Sequence, residues 1–157
     1  MGTEIERKFL VHGGAWRAGA EGQPCRQGYL CVGPPVAVRV RIMNGRAMLN
    51  AKKATLDLTR DEFEYPIPLD DAEAILAGLC MGWPIEKTRY KVRFEGHLWE
   101  VDEFLGANEG LVVAEIELAS ESEAFVPPPW LGEEVSADPR YLNSSLALYP
   151  YSQWATI

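Results

Sequence analysis

Acidic and basic side chains near the start of the chain alternate in a way that suits phosphate chemistry. If residues 4–11 form a β-strand, Glu4, Glu6 and Lys8 share one face. They then stand about 6–7 Å apart, because a strand rises about 3.3 Å per residue and successive side chains point to opposite faces. Carboxylates can ligate a divalent cation, and an ammonium can bind phosphate. On one strand alone, the same pattern is also typical of the solvated face of an antiparallel sheet.

The alternation recurs along most of the chain, and its charges are sorted by strand. The later same-face carboxylates are Glu62, Glu64, Glu100, Asp102, Glu115 and Glu117. The later same-face bases are Arg39, Arg41, Lys52, Lys87, Arg89, Lys91 and Arg93. An ordinary surface mixes Ser, Thr and Gln among such residues, whereas these faces are almost wholly charged. The recurrence therefore favours charged faces that point inward, with Lys91 and Arg93 expected in solvent.

Eight predicted strands position these faces, and most of them are joined by short turns. The strands are expected at residues 4–11, 25–32, 36–43, 46–53, 61–67, 85–95, 97–104 and 111–119, and helices at 70–80 and 138–149. Asn44-Gly45 is a strong two-residue hairpin turn. The pattern predicts a mostly β, α+β fold, an eight-stranded antiparallel closed barrel with a few flanking helices, in a single domain over residues 1–157.

The charged faces could surround a small apolar barrel or line its interior. The apolar face is continuous over all eight strands, and the helices are available to cover it from outside, which favours the interior. Each ion removed from water costs several kcal/mol, against a total stability of roughly 5–15 kcal/mol. The interior must therefore be hydrated, internally paired, or filled by a charged ligand. An eight-stranded barrel has room for about one small ligand.

A cationic wall and an acidic wall together suggest the ligand. Arginine and lysine suit phosphate oxygens, and this wall consists of Arg39, Arg41, Lys52, Lys87 and Arg89. The acidic wall, which consists of Glu4, Glu6, Glu115 and Glu117, would repel phosphate unless Mg²⁺ or Mn²⁺ stood between them. The sequence predicts a small anionic substrate held between carboxylates, metal and bases. There is no G-x-x-x-x-G-K-[ST] phosphate loop.

Composition excludes several other classes of protein. The formal net charge of −8 makes nucleic-acid binding unfavourable. No apolar run is long enough to cross a membrane, and the charged N-terminus lacks the apolar core of a signal peptide. Three cysteines in no metal-binding spacing suit a reducing compartment, so a cytoplasmic location is expected. The residues leave the oligomeric state open, including a homodimer.

The ordered series of motifs resembles the CYTH superfamily, the triphosphate tunnel metalloenzymes. Glu4-Ile5-Glu6-Arg7-Lys8 is similar to its E-x-E-x-K signature. The likeness continues through Gln27-Gly28-Tyr29-Leu30, Arg39-Val40-Arg41, Lys52, Glu62-Phe63-Glu64, Glu86-Lys87-Thr88-Arg89-Tyr90, Glu100-Val101-Asp102, Glu115-Ile116-Glu117 and Arg140-Tyr141-x-Asn143. It is closest to the short bacterial branch of inorganic triphosphatases. The resemblance implies the eight-stranded tunnel and a requirement for divalent metal.

The expected roles follow from these faces and from that resemblance. The expected ligands of Mg²⁺ or Mn²⁺ are Glu4, Glu6, Asp102, Glu115 and Glu117. The expected substrate-binding residues are Lys8, Arg39, Arg41, Lys52, Lys87 and Arg89. Glu62 and Glu64 are expected to form salt bridges that hold the bases in place.

Tyr29 and Lys52 are the expected catalytic pair. An ammonium lowers the pKa of a nearby phenol, so the pair could accept a proton from water. Tyr29 could equally be a core aromatic residue bonded to a charged neighbour. The chain has Asn50-Ala51-Lys52-Lys53 where the family more often has Thr and an aliphatic residue before one Lys, so Lys53 is a possible substitute for Lys52.

The expected reaction is metal-dependent hydrolysis of inorganic triphosphate to diphosphate and phosphate. Other branches on this fold make cyclic AMP from ATP, as class IV-type adenylate cyclases, or hydrolyse thiamine triphosphate. A polyphosphate-binding module without turnover is a third alternative. The presence of both the acidic and the basic sets favours chemistry, since a binder needs mainly the bases.

Overall fold

A computed structural model describes residues 2–154 of the chain. Nine strands form one antiparallel sheet: β1 (Gly2–Val11), β2 (Gly22–Val32), β3 (Val36–Met43), β4 (Arg46–Lys53), β5 (Thr59–Ile67), β6 (Met81–Phe94), β7 (His97–Phe104), β8 (Val112–Glu117) and β9 (Leu131–Glu134). The two α-helices are α1 (Leu69–Gly78) and α2 (Asn143–Leu148). Short 3₁₀ turns lie at Ala15–Arg17, Gly106–Asn108, Pro139–Tyr141 and Tyr151–Gln153.

Eight of the strands close into a barrel, as the sequence predicted. Their order is β5-β4-β3-β2-β6-β7-β8-β1, and β1 also pairs with β5 to complete the ring. β1 reaches three partners, because its first residues pair with β5 while later residues pair with β8 on one edge and β9 on the other. The ninth strand, β9, was not predicted. The expected final helix divides into the Pro139–Tyr141 turn and α2.

The apolar faces are covered from outside by two groups of residues. Trp99 and Ile116 pack with Phe9 and Trp16 beneath the segment that carries Trp130. On another part of the wall, Ala72 of α1 packs against β3 and β4. These two clusters occupy the outward face of the strands, which leaves the charged alternate face directed into the barrel.

A third cluster fills one end of the barrel interior. Ile85, Phe104 and Val113 have the same inward parity as Lys87, Asp102 and Glu115 on their strands. They pack around Leu146 and Ala147 of α2, all fully or nearly fully buried. Helix α2 therefore closes one end of the barrel, and the interior is a charged cavity above an apolar floor.

No helix within residues 2–154 combines the length and apolar character that a membrane crossing requires.

Candidate active site

The barrel encloses a cavity of about 220 Å³ with a wall that is largely charged. Seven glutamates line it, namely Glu4, Glu6, Glu62, Glu64, Glu100, Glu115 and Glu117. Eight cationic residues also line it, namely Lys8, Arg39, Arg41, Lys52, Lys53, Arg60, Lys87 and Arg89. Every predicted site residue except Asp102 reaches this wall, Tyr29 included. The period-two alternation of the strands therefore brings the predicted set together.

Strands β1 and β8 place four carboxylates on one side of the cavity. Their antiparallel register sets Glu6 opposite Glu117 and Lys8 opposite Glu115. Burial, reinforced by the carboxylate of Glu6, raises the pKa of Glu115. Burial and the carboxylate of Glu4 likewise raise the pKa of Glu117. This side of the cavity is therefore crowded with negative charge, which favours the binding of a cation.

Ion pairs connect the acidic side to the basic side. Lys52 Nζ lies 2.5 Å from Glu4 Oε2 and 3.4 Å from Glu62 Oε2. Glu64 Oε2 lies 3.6 Å from Arg41 Nη2, so both glutamates of β5 hold bases as expected. Although burial alone would lower the pKa of Lys52, the carboxylates of Glu6 and Glu4 leave it raised. Lys52 is accordingly a cation.

The basic side contains cations that repel one another. Burial, together with the charges of Arg39 and Arg89, lowers the pKa of Arg41. Burial also opposes the charge of Arg39, but the interaction with its cross-strand neighbour Tyr29 leaves the pKa of Arg39 raised. An anion bound between these guanidinium groups would relieve their repulsion. Tyr29 thus contacts Arg39, whereas the partners of Lys52 are carboxylates.

Asp102 lies behind the cavity wall rather than on it. It is fully buried, and its oxygens accept hydrogen bonds from Lys87 Nζ at 2.8 Å and from Arg89 Nε and Nη2 at 2.8 and 2.9 Å. These two cations hold the pKa of its carboxyl far below the usual range, despite its burial. Both oxygens are engaged, so this geometry suits a residue that positions Lys87 and Arg89 better than the predicted metal ligand.

The segment before and at the start of α2 also reaches the cavity. Asn143 Oδ1 accepts hydrogen bonds from Gln27 Nε2 at 2.9 Å and from Lys87 Nζ at 3.2 Å. Lys8 Nζ donates to the carbonyl oxygen of Tyr141 at 3.0 Å. Lys8 is nearly buried, so this bond fixes its ammonium at the edge of the cavity.

The carboxylates fit a divalent cation by their chemistry, although they are engaged elsewhere in this arrangement. Oxygen donors of this kind are the ligands that Mg²⁺ and Mn²⁺ prefer. Across residues 2–154, however, no three Asp, Glu, His or Cys side chains are grouped as a metal site. Glu4 is turned toward Lys52, and Glu6 Oε1 lies 3.7 Å from Arg60 Nη2. Ligation would therefore require these glutamates to exchange an ion pair for the metal.

One residue of the cavity wall, Arg60, lies outside the predicted strands. Arg60 was assigned to no strand because β5 was expected to begin at Asp61, yet it lines the cavity beside Glu6. The signal was present, since Arg60 has the same parity as Glu62 and Glu64. Glu100 was predicted to point inward but was given no role; it lines the wall, and its Oε1 lies 3.4 Å from Arg89 Nη1. Lys91 and Arg93 are exposed, as expected.

Comparison with known proteins gives a consistent family. A family model for the CYTH domain matches residues 2–147. An inorganic triphosphatase from Acetivibrio thermocellus is 51% identical over 154 residues, covering 98% of this chain and 99% of that protein. An inorganic triphosphatase from Nitrosomonas europaea is 40% identical over 154 residues, covering 93% of this chain and 97% of that protein.

A solved structure agrees with this assignment. The crystal structure of an inorganic triphosphatase superposes with a TM-score of 0.69 at 37% identity, covering 92% of this chain and 97% of that chain. The match extends over nearly all of this chain. The chain belongs to the CYTH domain family.

Proposed function

We propose that this protein hydrolyses inorganic triphosphate to diphosphate and phosphate inside the barrel, with Mg²⁺ or Mn²⁺ as cofactor. The observation that carries the proposal is that a carboxylate wall faces a wall of arginine and lysine across one cavity. A polyanion can be neutralised on the basic side, and a cation can be held on the acidic side. Two relatives that match nearly the whole chain are named inorganic triphosphatases, which supports the same substrate.

The basic side would bind and orient the phosphate chain. Arg39 and Arg41 offer forked donors, and Lys8, Lys87 and Arg89 offer further positive charge around the same cavity. Their fixed positive charge stabilises the negative charge that develops on the leaving diphosphate. Asp102 keeps Lys87 and Arg89 in place, because it accepts hydrogen bonds from both.

The acidic side would hold the divalent ion through Glu4, Glu6, Glu115 and Glu117. When bound, such an ion neutralises phosphate charge and activates water for attack. Two of these glutamates are paired with Lys52 and Arg60, so if they held an ion instead, both cations would be available to the substrate.

Tyr29 is the group we assign to proton acceptance; its cationic neighbour is Arg39, whereas Lys52 is paired with Glu4 and Glu62 on the same cavity wall. The raised pKa of Lys52 keeps its ammonium charged, which makes it a poor base and a good stabiliser of phosphate oxygens. Tyr29 is nearly buried on the wall beside Arg39, so its phenol lies in a strongly positive environment.

The test is phosphate release from inorganic triphosphate, ATP and thiamine triphosphate, each with Mg²⁺, Mn²⁺ or EDTA. We expect metal-dependent release from inorganic triphosphate far above that from the other substrates. Formation of cyclic AMP and diphosphate from ATP would instead show an adenylate cyclase. Preferred phosphate release from thiamine triphosphate would show a thiamine triphosphatase. Triphosphate that raises the melting temperature but is never consumed would show a binding module.

Substitutions on the wall provide the matched comparison. Arg39→Ala and Glu6→Ala should each lower kcat/KM by about a hundredfold or more, which is typical when a charge-stabilising group is removed. Arg93→Ala removes an exposed arginine from β6 and should leave kcat/KM unchanged. Near-full activity of folded Arg39→Ala would remove that residue from the mechanism.

A further inference from the structure

The chain segment over residues 141–144 contacts two of the lysines that the proposed function assigns to the phosphate. Lys8 of β1 donates to the carbonyl oxygen of Tyr141, and Lys87 of β6 donates to the side chain of Asn143. Leu142, Asn143 and Ser144 are themselves part of the cavity wall. A segment that only covered the end of the barrel would not need to contact the ammonium groups inside it.

Within residues 2–154, the hydrogen bonds of Lys87 leave one of its donors free. A lysine ammonium has three N–H donors. Asp102 Oδ2 accepts one at 2.8 Å, and Asn143 Oδ1 accepts another at 3.2 Å. Lys87 is only 1% exposed yet lies on the cavity wall, so the third donor is the one available to a ligand there. The direction of this third N–H is set by the positions of the two acceptors.

Asn143 is itself held in one orientation. Gln27 Nε2 donates to its Oδ1 at 2.9 Å, and Gln27 is fully buried on β2, the strand next to β6. Two donors, from Gln27 and Lys87, converge on the same oxygen, so the amide must present its oxygen rather than its nitrogen to them. The result is a hydrogen-bonded relay from Gln27 through Asn143 to Lys87.

A neutral amide has a chemical advantage at this place. The carboxylate of Asp102 is shared between Lys87 and Arg89, so it compensates the positive charge of the Lys87 ammonium only in part. An aspartate at position 143 would accept the same hydrogen bonds but would add a second negative charge beside Lys87. An amide therefore orients the ammonium without cancelling the charge that attracts phosphate.

We propose that Asn143 is a positioning residue that directs the free N–H of Lys87 toward a substrate phosphate, so that the C-terminal segment is part of the active site. The proposal rests on the proposed function, because it takes the ligand of Lys87 to be a phosphate chain. It makes triphosphate affinity depend on a side chain that acts through Lys87.

A double-mutant cycle on Asn143→Ala and Lys87→Met tests this dependence. The measurements are KM and kcat for inorganic triphosphate, and the triphosphate concentration that gives the half-maximal rise in melting temperature in EDTA. Asn143→Ala should weaken binding about tenfold, the size expected for one hydrogen bond that orients a charged group. In the Lys87→Met background, the same change should alter binding less than about twofold, because neighbouring residues that act as one unit are not additive. Effects that multiply in the double variant would overturn the proposal.

Two further variants separate positioning from folding. Asn143→Asp keeps the size and the acceptor, so it should fold and yet bind triphosphate more weakly than Asn143→Ala. Ser145→Ala alters a neighbouring residue of α2 that is outside the cavity wall and should bind as the wild type does. Wild-type affinity in folded Asn143→Asp would overturn the role of Asn143 alone. A wild-type protein that neither binds nor hydrolyses triphosphate would overturn the proposed function as well.

Discussion

Replacing Asp102 by asparagine should destabilise the protein strongly, because this carboxylate compensates two buried cations. The change keeps the shape of the side chain and one acceptor oxygen. It removes the negative charge from between Lys87 and Arg89, which are 1% and 8% exposed. It also turns an amide N–H toward at least one of the three N–H donors from which Asp102 now accepts a hydrogen bond.

The magnitude follows from the cost of an unpaired buried charge. Breaking a buried ion pair by removing one partner costs about 3–5 kcal/mol. Asp102 is fully buried, so solvent does not screen this loss. For a chain of this length, each kcal/mol lowers the melting temperature by roughly 2–4 °C. Asp102→Asn should therefore melt roughly 6–20 °C below the wild type.

Scanning calorimetry and urea denaturation measure the effect, with Asp138→Asn as the matched control. Asp138 also accepts hydrogen bonds from an arginine, Arg140, with Nη2 at 2.7 Å from Oδ2, but this pair is at the surface. Surface ion pairs contribute about 0–1 kcal/mol, so the control should lose only a few degrees.

A second measurement separates the positioning role of Asp102 from the predicted metal role. A positioning residue predicts that folded Asp102→Asn binds triphosphate more weakly in EDTA. A metal ligand predicts weaker Mg²⁺ binding with little loss of stability. Asp102→Asn with wild-type stability would refute the reasoning about the buried network.

Three further outcomes test other parts of the structure. The pKa of Asp102 is lowered in the folded protein, so the stability that its carboxylate contributes is complete above the ordinary aspartate pKa of about 3.9 and is lost as pH falls below that value. The melting temperatures of wild type and Asp102→Asn should therefore converge in acid. A difference in melting temperature that stays constant with pH would contradict this. In urea denaturation, Gly82→Ala should destabilise the protein far more than Gly45→Ala. Both glycines have positive φ, but only at Gly82 would an added Cβ lie 2.0 Å from a carbonyl oxygen of α2. Equal losses of stability in the two variants would contradict this packing. Leu146→Ala should lower the free energy of unfolding by about 2–5 kcal/mol, measured by urea denaturation, and Leu148→Ala by far less. Leu146 packs in the apolar floor, whereas Leu148 is exposed. Similar losses in the two variants would contradict this position of α2.

The parts of the fold that depend on local pattern could be predicted from the sequence. The bounds of β3, β4 and β7 match the prediction, because strict alternation defines each strand. Asn44 and Gly45 both have positive φ, as the predicted hairpin turn requires. Period two also placed Glu4, Glu6 and Lys8 on one wall, since parity is a property of the chain alone.

The parts that depend on distant partners could not be predicted. β9 has four residues and pairs with the edge of β1 beyond the last residue that pairs with β5. No local sequence pattern encodes such a pairing. Parity placed Asp102 inside the barrel but gave no depth, so its position behind Lys87 and Arg89 was missed. The contact of Asn143 with Lys87 joins residues far apart in sequence, and its amide resembles any other polar side chain near a helix.

The three-sided pairing of β1 has a consequence for how the protein is made. β1 is synthesised before β5, β8 and β9, so its pairing is complete only after all three have left the ribosome. Such distant contacts carry a large loop-closure cost and slow the folding of β proteins. β1 is also the strand that carries Glu4, Glu6 and Lys8, so the last seam of the ring to join is the one that completes the charged wall. A newly made chain should therefore acquire the ability to bind its ligand in the same step in which it becomes resistant to proteases.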